Sequence, residues 1–117
     1  MVIAAEQIAI AHDGLSTIGR VASDAVQSSN VIFDDVVFHL DIRHHEDDKL
    51  SELESDIRDK FKAISEEAKG VEIIRWEKIT DIKALNFDPK AVSCVREACS
   101  GFPKHELVSG AGHDLCV

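Results

Sequence analysis

The chain has 117 residues, 44% hydrophobic and 30% charged, a composition typical of one folded globular domain. Acidic residues outnumber basic ones by 22 to 13, and the formal charge of −9 disfavours contact with a nucleic acid backbone. No apolar stretch approaches the ~20 residues that a membrane span requires. Three cysteines without a C-x-x-C pair are typical of a reducing compartment. We therefore expect a cytoplasmic protein that binds neither nucleic acid nor membrane.

The first 43 residues predict one helix followed by two strands. Apolar residues between Val2 and His12 follow helical spacing, and Gly14 can take the left-handed conformation that ends a helix. The β-branched and small residues of Ser16 to Ala25 favour a strand. From Val36 to Arg43 the sequence alternates strictly between apolar and other side chains, which predicts a second strand.

The two faces of this second strand differ in character. Val36, Phe38, Leu40 and Ile42 form an apolar face that we expect to pack on helices. The opposite face ends on Arg43 and should look toward solvent, a partner or a ligand.

A long amphipathic helix is predicted after the second strand. Asp47 or Asp48 can cap its start, and Gly70 can end it just after Lys69. Its apolar stripe consists of Leu50, Leu53, Ile57, Phe61, Ile64 and Ala68. The next segment, Val71 to Ile79, predicts a further strand.

The last part of the chain predicts a helix, a short strand and a loop. Asp88 followed by Pro89 is the order of an N-cap and a first helical residue, and Gly101 can end this helix. His105 to Val108 can form a short strand before a loop of small residues. The fold class is therefore α+β, with an antiparallel sheet packed on two helices and a C-terminal segment of helix and strand.

Two places in the sequence could carry chemistry. The guanidinium of Arg43 offers a planar fork suited to a carboxylate, although a surface ion pair with Asp41 or Glu46 is an equally simple interpretation. His44 and His45 follow directly, but neighbouring side chains of an extended chain point to opposite faces, so we do not expect them to share a metal ion. The second place is the loop of residues 109–114, whose two glycines allow close approach of a ligand, unless it is an ordinary turn.

The combination of four short segments resembles one enzyme family. The segments are Thr17-Ile18-Gly19, Asn30-Val31-Ile32, Leu40-Asp41-Ile42-Arg43-His44 and Ser109-Gly110-Ala111-Gly112-His113-Asp114. Their order and spacing are similar to those of N-carbamoyl-amino-acid hydrolases, allantoate amidohydrolases and β-alanine synthases, over essentially the whole chain. The resemblance implies hydrolysis of a linear C–N bond in an N-carbamoyl, ureido or allantoate-type substrate. It also implies a two-domain enzyme with a dinuclear zinc or manganese centre.

The resemblance assigns roles to ranges and residues of this chain. Residues 1–87 match the lid and dimerisation domain, and residues 88–117 match a segment that returns to the catalytic domain. Asn30 and Arg43 match residues that hold the substrate carboxylate, while Gly112 and His113 match substrate-binding residues near the metals. We therefore expect a small-molecule carboxylate as substrate and a homodimer as the assembly.

The sequence departs from the family pattern in two respects. Phe33 and Asp34 stand where family members usually have a Pro-Gly turn. The family's metal ligands and catalytic glutamate match nothing in this chain, so we expect it to contain no catalytic residue and to bind no metal by itself. Two functions stay open: a part of a metal-dependent hydrolase, or a non-catalytic dimerisation or binding module.

Overall fold

A computed structural model describes residues 1–23 and 30–111 of the chain. Its elements are helix α1 (Val2–Ala11), strands β1 (Leu15–Ala22) and β2 (Val37–Arg43), and helices α2 (Asp47–Glu67) and α3 (Pro89–Ala98). The two strands form an antiparallel sheet, and α1 and α2 pack against each other and against the sheet. The α+β class is therefore confirmed. No helix in residues 1–23 and 30–111 is long and apolar enough to cross a membrane.

The register of the β1–β2 pair determines which side chains share a face. Leu15 lies opposite Arg43, and Thr17 lies opposite Asp41. The pairing shifts between Ile18 and Arg20, so that Gly19 forms an irregularity in the ladder. Beyond it, Arg20 faces His39.

The core is small and centres on α2. Leu53, Ile57 and Phe61 are fully buried, at four-residue spacing on one face of the helix. Ala5 and Ala9 of α1 are equally buried, and their small side chains allow α1 to approach α2 closely. Each large core side chain contributes about 1.5–3 kcal/mol through burial. Packed against this core are Phe38, Leu40 and Ile42, which confirms three members of the predicted apolar face of β2. The fourth, Val36, precedes the strand and is exposed.

The end of α1 differs from the prediction. Asp13, not Gly14, adopts the left-handed conformation, with a φ angle of 54°. Gly14 is needed for a different reason. A β-carbon at this position would lie 3.0 Å from the carbonyl oxygen of Arg43 and 3.0 Å from Cδ2 of Leu53. Gly14 therefore allows the chain to pass between the end of β2 and the core.

The strand predicted for residues 71–79 is not formed. Residues 71–84, the return segment, instead run back along α2 without a strand partner among the described residues. The Trp76 ring packs edge-on against Phe61, with centroids 6.0 Å apart. Further along, Lys78 pairs with Glu54 at 2.6 Å. The prediction was wrong because a strand needs a neighbouring strand for its backbone hydrogen bonds, whatever its β-propensity. Side chains of α2 hold this segment instead.

A side chain at the start of α2 binds the backbone of the return segment. Neither Asp47 nor Asp48 caps the helix; Glu46 takes the N-cap position without a side-chain cap hydrogen bond. The Asp47 carboxylate accepts a hydrogen bond from the backbone N–H of Ala84, at 2.9 Å. The other end of α2 differs slightly from the prediction: the helix ends at Glu67, and Ala68 takes the C-cap position in an extended conformation. Gly70 lies beyond the cap, with a left-handed φ angle of 78°.

Helix α3 forms as predicted but buries no residue. Asp88 caps it by accepting hydrogen bonds from the backbone N–H groups of Lys90 and Ala91, both at 2.9 Å. No strand forms at residues 105–108, where Leu107 is 92% exposed. The radius of gyration is 19.4 Å, against about 13 Å for a compact domain of this length. Much apolar surface after residue 70 therefore lacks a covering partner within the described ranges.

Candidate functional site

Arg43 lies at the end of β2 on the face turned away from the core. Strict alternation along the strand turns Phe38, Leu40 and Ile42 inward, so His39, Asp41 and Arg43 point outward. The predicted polar face is thus confirmed. Roughly half of the Arg43 side chain, 49%, is exposed.

Three hydrogen bonds hold the Arg43 guanidinium. Its Nε donates to Oδ1 of Asp41 at 2.7 Å, and Nη2 donates to Oδ2 of the same carboxylate at 2.9 Å. Its Nη1 donates to the backbone carbonyl oxygen of Gly110 at 2.8 Å. Arg43 therefore joins two of the segments that the sequence singled out, although they are 67 residues apart.

The ion pair shifts the titration of both partners. The hydrogen bond from Arg43, aided by its charge and opposed by partial burial, lowers the pKa of Asp41. The same hydrogen bond and the charge of Asp41 raise the pKa of Arg43. Because both side chains are about half exposed, the pair contributes only about 0.2–1 kcal/mol to stability. The ion pair that the sequence suggested is therefore formed with Asp41, whereas Glu46 pairs with His45.

The loop beside Arg43 leaves little room for a side chain at Gly110. A β-carbon on Gly110 would lie 3.3 Å from Cδ1 of Leu15, the cross-strand neighbour of Arg43. The hydroxyl oxygen of Ser109 accepts a hydrogen bond from the backbone N–H of Ala111 at 3.3 Å. The site surface therefore combines the Arg43 guanidinium and the Gly110 backbone with one apolar side chain, that of Leu15.

The other predicted substrate-binding residues are placed less completely. Asn30 is exposed on the connection between β1 and β2, which leaves the hairpin at the end opposite Arg43. Gly112 and His113 lie outside the described residues. The roles predicted for these three residues stay predictions.

Sequence reasoning named Asp41 as a member of this site but missed Leu15. The i, i+2 spacing of Asp41 and Arg43 on a strand places both side chains on one face, and their ion pair was one of the two pairings expected. The contribution of Leu15 could not be predicted, because it depends on the cross-strand register.

The histidines next to Arg43 do not behave as predicted. The rings of His44 and His45 stack with centroids 4.4 Å apart, because the chain leaves the extended conformation after Arg43. With Glu46 they bring three possible ligand atoms within 4.8 Å of one another. However, Nδ1 of His44 already lies 2.9 Å from the backbone nitrogen of Glu46, which donates to it.

This cluster does not fit the dinuclear centre that the resemblance implies. Two ions about 3.5–4 Å apart require two sets of ligands, whereas His44, His45 and Glu46 are three half-exposed or exposed donors. It is also the one group of three or more such donors in the part of the chain that the structure describes. No step of a reaction can therefore be derived through a metal held by these residues.

A groove of about 350 Å³ lies elsewhere, between α2 and the return segment. Its lining includes Arg58, Lys62, Ile73 and Trp76, and the Arg58 guanidinium sits 4.9 Å from the centre of the Trp76 ring. The groove does not include Arg43. We attribute it to the packing of the return segment on α2.

One comparison with known proteins supports the resemblance seen in the sequence. No protein family model and no solved structure matches the chain. The chain is 38% identical over 92 residues to an N-carbamoyl-L-amino-acid amidohydrolase of Rhizobium meliloti, an alignment that covers 76% of this chain. It spans about a fifth of that relative's length, 21%. The comparison supports the family that the four sequence segments resemble, the N-carbamoyl-L-amino-acid amidohydrolases.

Proposed function

We propose that this chain provides the substrate-carboxylate binding surface of a metal-dependent hydrolase acting on N-carbamoyl amino acids or on ureido or allantoate-type compounds. The proposal rests on the guanidinium of Arg43, which is exposed at a strand end beside the Leu15 side chain. Hydrogen bonds to Asp41 and Gly110 hold it in place. The name of the matched relative specifies N-carbamoyl-L-amino acids, which carry a carboxylate. A planar guanidinium is the side chain best suited to bind that group.

In this proposal the chain binds and orients the substrate but does not perform the chemistry. Arg43 takes the substrate carboxylate, and Gly112 and His113, which follow Gly110 in the sequence, add to the binding surface. Asn30 is on the connection at the opposite end of the hairpin, so this surface does not include it. Because the described donors do not fit a dinuclear centre, the zinc or manganese ions and the catalytic carboxylate would be held by other segments of the parent enzyme. The lid role of residues 1–87 belongs to the same proposal.

Exposed apolar surface supports a larger assembly around this chain. Helix α3 buries nothing, and Phe102, Leu107 and Val108 are each more than 70% exposed. Large apolar side chains that are exposed close together in a sequence often mark a surface that a partner covers. We propose that residues 88–117 pack on the catalytic domain. The outer edges of β1 and β2 are unpaired in the described two-stranded sheet and suit a homodimer.

The alternative function is a non-catalytic dimerisation or binding module. The same unpaired sheet edges support it, and it requires no metal. The two functions differ in a simple measurement. If the chain acts only with the rest of a hydrolase, then joining it to the missing catalytic segments should restore turnover, and these segments should be required for metal binding.

Substitution of Arg43 in such a restored enzyme tests the carboxylate role. Truncating one partner of a charge-assisted pair in a closed site costs roughly 2 kcal/mol or more, so Arg43→Ala should lower kcat/KM about 30-fold or more. Arg43→Lys keeps the charge but loses the fork and should recover only part of the loss. Arg20→Ala removes another arginine of the same hairpin and should have little effect.

The decisive comparison uses a substrate and its decarboxylated analogue. The effect of Arg43→Ala should disappear with the analogue, because the carboxylate is gone. Equal losses on both compounds, or no loss on either, would contradict the carboxylate role of Arg43. The 117-residue chain alone should hydrolyse neither compound and should not retain two metal ions in elemental analysis.

A further inference from the structure

We propose that Asp41 and the Gly110 carbonyl are positioning groups that make the Arg43 guanidinium a receptor for a single carboxylate. The inference rests on the proposed function, in which Arg43 takes the substrate carboxylate. It adds a role for Asp41, which would otherwise be only a neighbouring surface charge.

The hydrogen-bond donors of the Arg43 guanidinium support this role. A guanidinium carries five N–H donors: one on Nε and two on each Nη nitrogen. Asp41 uses the Nε donor and one on Nη2, and Gly110 uses one on Nη1. Within residues 1–23 and 30–111, one N–H therefore stays available on each Nη nitrogen. Because Asp41 binds Nε and Nη2 side-on, the N–H left on Nη2 is the one that faces Nη1. When the Gly110 carbonyl takes the outer Nη1 hydrogen, the two remaining donors match the two oxygens of one carboxylate.

The arrangement also restrains a flexible side chain. Arginine has many rotamers, and an unrestrained one loses that freedom when it binds a ligand. Here a strand neighbour holds one side of the guanidinium, and the 109–111 loop holds another. One partner is on the same strand as Arg43 and the other is 67 residues further along the chain, so their bonds orient Arg43 relative to both the strand and the loop. A ligand carboxylate would then meet a guanidinium that is already oriented.

A competing role for Asp41 makes the opposite prediction. If Asp41 were merely an anion that occupies Arg43 in place of the ligand, its neutralisation would free the guanidinium and strengthen carboxylate binding. If Asp41 positions Arg43, its neutralisation loosens the guanidinium and weakens carboxylate binding. The sign of the change therefore separates the two roles.

The first experiment measures restraint directly in the 117-residue chain. Hydrogen exchange of the Arg43 Nε–H is followed by NMR on arginine-labelled protein, with the resonance assigned by its loss in Arg43→Lys. Asp41→Asn should accelerate this exchange about 10-fold or more, because the strong side-on pair is lost. Asp59→Asn removes the same charge from the exposed surface of α2 and should leave the exchange unchanged. An unchanged rate in Asp41→Asn would overturn the positioning role.

The second experiment titrates the chain with N-carbamoylglycine and with its neutral amide. Asp41→Asn should weaken binding of the carboxylate about 3- to 10-fold and leave binding of the amide unchanged. If Arg43→Lys weakens carboxylate binding but Asp41→Asn does not, or strengthens it, the positioning role fails while the proposed function stands. If Arg43→Lys has no effect, or the wild-type chain does not prefer the carboxylate over the amide, the proposed function itself fails.

Discussion

A methyl group added at Gly14 should destabilise the fold by overpacking. The β-carbon of Gly14→Ala would lie 3.0 Å from the Arg43 carbonyl oxygen and 3.0 Å from Cδ2 of Leu53, with the Ala9 carbonyl oxygen at 3.6 Å. The Leu53 side chain is fully buried, and the Arg43 carbonyl belongs to the backbone at the end of β2, so neither can move freely. Overpacking of this kind costs typically 1–3 kcal/mol.

Alanine also restricts the unfolded chain, which offsets about 0.4–1 kcal/mol of that loss. The net decrease in the free energy of unfolding should therefore be about 1–2 kcal/mol, or a fall in Tm of roughly 4–8 °C. Urea and thermal denaturation followed by circular dichroism measure both quantities.

Two further variants show whether steric contact is the cause. Gly19→Ala adds the same methyl group where nothing lies within 4 Å, and it should change stability little. Shortening the buried neighbour should relieve part of the clash, so Gly14→Ala combined with Leu53→Val should lose less than the sum of the single changes. Unchanged or increased stability of Gly14→Ala would refute the reasoning, as would equal losses for Gly14→Ala and Gly19→Ala.

Three other outcomes follow from the structure. Because the folded-state pKa of Asp41 is lowered, its pair with Arg43 stabilises the fold above pH ~4 and loses this effect as the pH falls through the folded-state value. In urea denaturation near pH ~6, the wild-type chain should be more stable than Asp41→Asn by at most about 1 kcal/mol, and this difference should disappear in acid. A stability difference that persists at low pH would contradict the pairing. Asp47→Ala should cost about 0.5–1.5 kcal/mol and speed hydrogen exchange of the Ala84 amide, whereas the neighbouring exposed Asp48→Ala should not. Sedimentation at tens of micromolar should detect a dimer, and a strictly monomeric chain would contradict pairing through the sheet edges.

Local patterns in the sequence determined the elements whose stability depends on their own residues. The two-residue alternation before Arg43 predicted β2 and the correct inward face, because successive strand residues must point to opposite sides. The stripe through Leu53, Ile57 and Phe61 predicted α2, and the Asp88-Pro89 pair predicted the start of α3. The same alternation placed Asp41 and Arg43 on one face.

Only the tertiary structure decided the features that depend on a distant partner. Residues 71–79 have the propensity of a strand, yet they lie along α2, because a strand also needs a neighbouring backbone to bind. Gly14 could be recognised as special, but its reason is the approach of the Arg43 carbonyl and Leu53. Likewise, the bond from Arg43 to Gly110 spans 67 residues. A local pattern can specify which face a side chain occupies, whereas the group it meets there depends on how separate segments pack together.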